Sequence, residues 1–129
     1  MTCLVDTSVV IEYLRNNQGV HERLRSLKAS GLFISIISVA ELYRGVFLSR
    51  NPERNEAVLN DFLAGVTVLG FDQESARMFG MEDARLRRSG NPVGHLDLLI
   101  ATTALRHGLT LLTADRDFER VNGLEVLYL

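Results

Sequence analysis

The sequence predicts an α/β protein, a three-layer α/β/α sandwich with a central, mainly parallel sheet. Short apolar runs rich in β-branched residues alternate with longer stretches in which apolar residues recur at helical spacing. Acidic or serine residues follow several of the strand-like runs, where helices are expected to begin. Of the 129 residues, 47% are hydrophobic, enough for one buried core, so we predict a single domain over residues 1–129.

The first predicted strand-to-helix junction lies at Asp6. An apolar run over residues 3–5 leads into it, and Val9, Val10 and Leu14 then follow at helical spacing, which predicts a helix to about Arg15. In open parallel sheets, ligands bind beyond the carboxyl ends of the strands, so Asp6 is expected to face the functional edge. The alternative is that Asp6 only caps the helix.

A second strand and helix repeat this arrangement around Glu41. Helical spacing over residues 20–27 predicts a helix, and the apolar residues 32–37 predict a buried strand. Ser38 and Glu41 have the spacing of a capping box, so the next helix is expected to begin at Ser38 and to end near Ser49. Glu41 is then either a functional carboxylate or the reciprocal capping partner of Ser38.

Proline, glycine and periodicity predict the remaining elements. A helix is expected after Asn51-Pro52 and ends at Gly65. Its predicted apolar side consists of Ala57, Val58, Phe62 and Leu63. The elements predicted after it are a strand over 66–69, a helix from Asp72 to Gly90, an apolar helix over 96–107 capped by Gly108, and strands over 109–113 and 124–129.

Four carboxylates are expected to meet at one edge of the sheet. Asp6, Glu41 and Asp115 each follow a predicted strand. Asp97 lies in the first turn of the apolar helix. Crowded carboxylates repel one another, and oxygen-rich clusters are typical sites for Mg²⁺ or Mn²⁺, which can activate water against a phosphodiester. Taken singly, each acid could instead be a helix cap or a turn former.

Hydroxyl groups stand beside these acids, and other catalytic patterns are missing. Thr7, Ser8 and Thr113 could orient metal-bound water or substrate, or could simply act as caps. The sequence contains no Cys/His pair at zinc spacing, no Walker-type glycine loop and no serine in a nucleophile elbow. The single cysteine, Cys3, is expected to be a buried apolar residue, and His95 is expected in a loop or capping role or in contact with substrate.

Charge and hydropathy narrow the class of protein further. A net charge of −2 argues against indiscriminate binding of polyanions, although it leaves room for a local basic patch. No apolar run reaches the length of a membrane span, and no signal peptide is apparent, so we expect a soluble, cytoplasmic protein.

Four segments, taken together and in order, resemble a known family. They are Leu4-Val5-Asp6-Thr7-Ser8, Ser38-Val39-Ala40-Glu41-Leu42, the run from His95 to Ala101, and the run from Leu112 to Phe118. The chain resembles a PIN-domain protein of the VapC toxin type. The resemblance implies a PIN-like fold, a Mg²⁺- or Mn²⁺-dependent endoribonuclease, a homodimer, and neutralisation by a VapB-type antitoxin.

The same resemblance suggests roles for individual residues. By motif position, Asp6, Glu41, Asp97 and Asp115 correspond to the acidic quartet of the family. Asp6 and Asp97 are expected to be the principal metal ligands, with Glu41 and Asp115 completing the site. Asp117, which precedes Phe118, is the alternative to Asp115 as the fourth acid; the Thr-x-Asp pattern favours Asp115.

Basic and apolar residues near these segments leave further alternatives open. Arg44, one turn beyond Glu41, is a candidate phosphate contact. So are three arginines at the end of one helix, Arg85, Arg87 and Arg88. These arginines could equally be solvated residues that favour the helix dipole. Three apolar residues could line a groove for the antitoxin or belong to the core: Tyr43, Val46 and Phe47.

Two other classes of function compete with a nuclease. One is a non-catalytic module of the same fold that binds RNA or protein. The other is a receiver or phosphatase domain, which also has an aspartate after the first strand. A phosphatase of that type needs a second aspartate where Ser8 stands, and a receiver needs a lysine near a late strand, whereas the only lysine is Lys28.

Overall fold

The structure, a computed structural model, describes residues 2–129 as strands and helices in regular alternation. The strands are β1 (Cys3–Val5), β2 (Leu32–Ser35), β3 (Thr67–Leu69), β4 (Thr110–Thr113) and β5 (Val126–Tyr128). The α-helices are α1 (Thr7–Leu14), α2 (Gln18–Lys28), α3 (Ile36–Leu48), α4 (Pro52–Leu63), α5 (Gln73–Arg88) and α6 (His95–His107). A short 3-10 helix, Arg116–Arg120, follows β4.

All five strands are parallel and form one sheet in the order β3-β2-β1-β4-β5. The predicted α/β fold with a parallel sheet is therefore confirmed. The chain steps from β1 to β2 and β3, then returns past β1 to form β4 and β5. The order thus reverses between β1 and β4, and the carboxyl ends of these two strands flank the crevice in which open α/β sheets bind ligands.

Helices cover both faces of the sheet because successive strand residues point to opposite sides. Cys3 and Val5 face one core, which the apolar sides of α1 to α4 complete. Leu4 and Leu111 face the other core, which α5, α6 and the 3-10 helix complete with Leu98, Ile100 and Phe118 among others. The three predicted layers are present, and the residues of the central strand β1 are fully buried.

Side-chain caps set several helix ends where the sequence predicted them. Asn51 accepts a hydrogen bond from the Arg54 amide at 3.4 Å at the start of α4, and Asp72 accepts one from the Ser75 amide at 2.8 Å at the start of α5. Gly108 ends α6 in the left-handed region with a φ of 64°, a conformation that glycine adopts without strain.

Two local predictions are wrong. α3 begins at Ile36 rather than Ser38, because the side chain of Ser35 caps it and accepts a hydrogen bond from the Ile37 amide at 3.0 Å. β2 therefore ends two residues before the predicted limit of 37. In α4, Ala57 and Val58 are exposed and Leu59 is buried beside Phe62, so the apolar side is rotated from the predicted one.

Of the helices within residues 2–129, none combines the length and the apolar character that crossing a bilayer requires.

Candidate active site at the carboxyl edge of the sheet

Asp6 is the buried centre of a hydrogen-bond network at the end of β1. Its side chain is only 4% exposed, and its Oδ1 accepts a hydrogen bond from the Thr7 amide at 2.8 Å, which caps α1. Its Oδ2 accepts hydrogen bonds from the hydroxyls of Ser8 at 2.8 Å and Thr113 at 2.7 Å. Asp6 therefore caps α1 and also lies at the carboxyl edge of the sheet. A buried carboxylate with three donors is held in one orientation.

Glu41 is tied to the same network through Thr7. The Thr7 hydroxyl donates to Glu41 Oε1 at 2.8 Å, and its oxygen lies 2.9 Å from Ser38 Oγ. Ser38 is buried in the first turn of α3 and does not cap that helix, so the capping-box interpretation of Glu41 is wrong. Thr7, the residue after Asp6, therefore orients the carboxylate of Glu41.

Asp115 follows β4 and is oriented by its neighbours. Its amide donates to Thr113 Oγ1 at 3.0 Å, and its own Oδ1 accepts from the Asp117 amide at 2.9 Å, which caps the 3-10 helix. Asp117 has a different partner: its side chain is 60% exposed, and its Oδ1 accepts a hydrogen bond from Arg120 Nη2 at 2.9 Å. Asp115 is less exposed than Asp117 and is linked through Thr113 to Asp6.

Asp97 lies in the first turn of α6, half-buried among the other acids. Burial and, after it, repulsion from the neighbouring carboxylates raise its pKa from 3.8 to about 6. The carboxylates that repel it are, in decreasing order of effect, Asp6, Asp115, Glu41 and Asp117. The structure therefore brings together all four acids that the sequence singled out, and Asp97 experiences the negative field of the other three and of Asp117.

The donor set of this cluster consists of carboxylate and hydroxyl oxygens, the ligands that hard divalent cations prefer. Within residues 2–129, no group of three or more His, Cys, Asp or Glu side chains has an arrangement that could hold a metal ion as it stands. Mg²⁺ commonly binds through only one or two carboxylates and keeps several waters. A cation would also offset the repulsion that raises the pKa of Asp97.

Some of the candidate phosphate-binding arginines already form ion pairs with carboxylates of residues 2–129, and others do not. Arg85 pairs with Glu82 and also donates to the Arg120 carbonyl at 3.1 Å. Arg87 pairs with Asp83 at 3.0 Å and lies 2.8 Å from His95 Nε2. Arg44 and Arg88 are exposed, and no such pairing involves them among the described residues. His95 is the first residue of α6 and is held there by its contact with Arg87.

A groove of about 630 Å³ runs along α1, α3 and α4 and reaches Glu41. Its apolar lining includes Ile11, Leu14, Leu42, Val46 and Val58, and Arg15 and Arg54 also line it. Of the three residues that the sequence offered for such a groove, only Val46 lines it. Tyr43 is partly buried and donates to Asn60 Oδ1 at 2.6 Å, and Phe47 is 61% exposed.

Sequence reasoning missed two polar residues of this region. The sequence predicts Ser38 only as a cap, and its contact with Thr7 depends on the pairing of β1 with β2, which no local pattern shows. Arg120 was not singled out at all, yet it bonds both Asp117 and the Pro92 carbonyl. Its position three residues after Asp117 is a helical spacing that favours such a pair.

Comparisons with known proteins agree with this architecture. Residues 3–124 match the family model described as the PIN domain. The chain is 38% identical to a tRNA(fMet)-specific endonuclease VapC of Shigella flexneri, over 94% of this chain and 92% of that protein. It is 37% identical to ribonuclease VapC2 of Haemophilus influenzae, again over 94% and 92%.

Solved structures with the same fold include chains from VapBC complexes. One of these complexes is VapBC2 from Rickettsia felis bound to a DNA fragment from its promoter. A chain of that complex superposes on this chain with a TM-score of 0.95 and is 26% identical to it, and the superposition covers 100% of this chain and 99% of that one. A chain of DNA-bound VapBC from Salmonella typhimurium superposes with a TM-score of 0.91 at 36% identity, covering 99% and 98%.

Proposed function

The chain belongs to the PIN-domain family and is homologous to VapC ribonucleases, and from this premise we propose that it is a metal-dependent endoribonuclease, the toxin of a toxin–antitoxin pair. The observation that carries the proposal is the convergence of four carboxylates beside the switch point of the sheet, where burial and, after it, repulsion from the other acids raise the pKa of Asp97 to about 6. Strongly shifted pKa values cluster at functional sites of proteins, which supports a catalytic or cation-binding role for this edge of the sheet.

Asp6 and Asp97 are the proposed principal ligands of Mg²⁺ or Mn²⁺, and Glu41 and Asp115 complete the site. When bound there, the cation supplies charge neutralisation and water activation for hydrolysis of a phosphodiester. The protein contributes orientation. Hydroxyl donors hold Asp6 and Glu41 in fixed orientations, and the other acids would move closer to a bound cation or reach it through its waters.

Asp115 is the proposed fourth acid, in preference to Asp117. It shares the Thr113 hydroxyl with Asp6, whereas the carboxylate of Asp117 is exposed and paired with Arg120. Arg44 and Arg88 are the proposed phosphate contacts, because they are exposed and close in sequence to elements of the site. These contacts would attract RNA without selecting its sequence.

Cleavage of RNA by the purified protein tests the proposal. Because a relative is named for tRNA(fMet), that tRNA is the first substrate to try, beside an elongator tRNA and total RNA. We expect discrete cuts with Mg²⁺ or Mn²⁺ and none with a chelator. Asp97→Asn should abolish the cuts, and Asp61→Asn, a change of an exposed acid on α4, should leave them unchanged.

The same experiment separates the nuclease from a binding module. If the RNA stays intact under all metal conditions and the protein still shifts its mobility, the chain is a non-catalytic RNA-binding PIN-like domain and not a nuclease. No cleavage, no RNA binding and no effect of metal on the melting temperature would leave only a protein-binding role for the fold.

The proposed partner is a VapB-type antitoxin, and homologous chains occur in VapBC complexes. The apolar groove beside Glu41 suits an amphipathic segment of such a partner. Co-expression with the protein encoded beside it should yield a complex that Val58→Asp in the groove weakens. We also propose a homodimer, which light scattering on the isolated protein tests directly.

A further inference from the structure

A single arginine joins the loop before Asp97 to the 3-10 helix that follows Asp115. Arg120, at the end of the 3-10 helix, donates from Nη1 to the Pro92 carbonyl at 2.9 Å and from Nη2 to Asp117 Oδ1 at 2.9 Å. Pro92 belongs to the loop that leads into α6 and Asp97. Asp117 lies in the same 3-10 helix as Arg120, and its amide donates to the Oδ1 of Asp115, which caps this helix.

The backbone around Arg120 is fixed from the other side by α5. Arg85 donates to the Arg120 carbonyl at 3.1 Å, and Glu82 accepts a hydrogen bond from the Asn122 amide at 3.3 Å. Arg85 and Glu82 also pair with each other, and Arg85 is the first cause of the lowered pKa of Glu82. The 3-10 helix is thus attached to a long helix, and the guanidinium of Arg120 extends from it across to the Pro92 loop.

The loop before α6 approaches the site closely. Gly94 caps α6 without a side chain, and a Cβ atom at this position would lie 3.9 Å from Asp97 Oδ2. Asp97 therefore lies against the backbone of the loop that Arg120 holds. No such link from the 3-10 helix to this loop is provided by Arg116, which pairs with Glu119 at 3.3 Å and lies over the ring of Tyr128.

We propose that Arg120 is a positioning residue of the acidic site, which holds the loop before Asp97 at a fixed separation from the turn that carries Asp115. This inference rests on the proposed function, because the separation matters only if both carboxylates serve one cation. It also gives Asp117 a role: its carboxylate receives Arg120 and is not a ligand of the site. A planar guanidinium suits the task because its two outer nitrogens can donate in fixed directions at once.

Two variants with the same change of charge test this role. Arg120→Gln removes the link, and Arg116→Gln removes one positive charge from the same 3-10 helix without touching the Pro92 loop. Both side chains are partly or largely exposed, and exposed ion pairs contribute little to stability, so both variants should fold. Arg120→Lys, which offers a single point of donation, provides a milder version of the same change.

Hydrogen exchange of the metal-free proteins is the first readout. In Arg120→Gln, amides over residues 91–97 should exchange faster than in the wild type, and in Arg116→Gln they should not. The second readout is Mn²⁺ affinity by calorimetry, which should fall about tenfold in Arg120→Gln, less in Arg120→Lys, and little in Arg116→Gln.

The outcomes separate this inference from the proposed function. Unchanged exchange over 91–97 in Arg120→Gln, or equal Mn²⁺ affinities of the two glutamine variants, would overturn the positioning role. If the wild type binds no Mn²⁺, the proposed function fails, and the role of Arg120 toward a metal site fails with it, even where the exchange data show the link. Faster exchange with a selective loss of Mn²⁺ affinity supports both.

Discussion

Thr113 donates its hydroxyl hydrogen to Asp6 Oδ2 at 2.7 Å, although the two residues are 107 positions apart in the chain. The same hydroxyl oxygen accepts a hydrogen bond from the Asp115 amide at 3.0 Å. Both bonds lie at the carboxyl ends of β1 and β4, the neighbouring strands between which the sheet order reverses. One buried threonine therefore links two of the four acids across the switch point.

Replacing Thr113 with valine tests this link. Thr113→Val keeps the shape of the side chain but leaves a buried carboxylate with one donor fewer, which should lower the free energy of unfolding by about 1–3 kcal/mol. Mn²⁺ affinity should fall on the order of tenfold because Asp6 loses part of its orientation. Thr113→Ser, which retains the hydroxyl, should stay near the wild type in chemical denaturation and calorimetry. A valine variant equal to the serine variant would show that the link is dispensable.

The positions of Asp6 and Asp115 were predictable because an apolar run before an acid at a helix start is a local pattern, and parallel strands align their ends. The residue at which α3 begins was not predictable in this way. The sequence pattern predicts a strand over residues 32–37, because Ile36 and Ile37 suit a strand by propensity, and it predicts Ser38 and not Ser35 as the cap. The choice depends on tertiary contacts, since Ser38 is buried and contacts Thr7.

Arg120 illustrates a second limit of prediction from the sequence. Its bond to the Pro92 carbonyl joins residues 28 apart through a backbone atom, for which no side-chain pattern in the sequence gives a signal. The prediction of the buried side of α4 was wrong for a related reason. Ala57 and Leu59 are both apolar, and only packing of α4 against α3 selects Leu59.

The raised pKa of Asp97 predicts how stability depends on pH. Because its pKa in the folded protein, about 6, exceeds the unfolded value of 3.8, the folded state binds more protons between these limits. The metal-free wild type should therefore lose stability as the pH rises through this window. Asp97→Asn lacks this loss, and at about pH 7.5 it should be more stable by on the order of 1–2 kcal/mol, after allowance for solvent screening.

Thermal melts of both proteins in a chelator at several pH values measure this difference. With saturating Mn²⁺ the order should reverse, because only the wild type gains stability from the ligand. If Asp97→Asn melts below the wild type in the chelator at neutral pH, burial and repulsion do not destabilise the charged Asp97 carboxylate as inferred.

Glu41→Gln should separate chemistry from folding. The glutamine side chain can still accept the hydrogen bond from Thr7, so the free energy of unfolding should change by less than about 0.5 kcal/mol. Loss of the negative charge should lower the rate of RNA cleavage about 100-fold or more. Glu53→Gln, a change in the exposed first turn of α4, is the control and should cut at the wild-type rate. Cleavage by Glu41→Gln within a few-fold of the wild type would remove Glu41 from the site.

The salt dependence of RNA binding should distinguish the arginines. Arg44 is exposed without a partner carboxylate among the described residues, whereas Arg87 already pairs with Asp83. If Arg44 contacts one phosphate, Arg44→Gln should weaken binding to every RNA and lower the slope of log affinity against log salt by about 0.7. Arg87→Gln should change the slope less. Titrations of a labelled RNA in an Asp97→Asn background avoid cleavage, and equal slopes for Arg44→Gln and its parent would exclude the contact.

The fourth acid can be assigned by two neighbouring variants. Asp115→Asn removes a carboxylate charge beside the Thr113–Asp6 link, and we expect cleavage to fall about 100-fold or more. Asp117→Asn keeps an oxygen that can accept from Arg120, so the loops should stay in place and cleavage should remain within about threefold of the wild type. Single-turnover cleavage with saturating Mn²⁺ measures both. The opposite ranking would assign the fourth acid to Asp117, and Arg120 would then compete with the cation for its carboxylate.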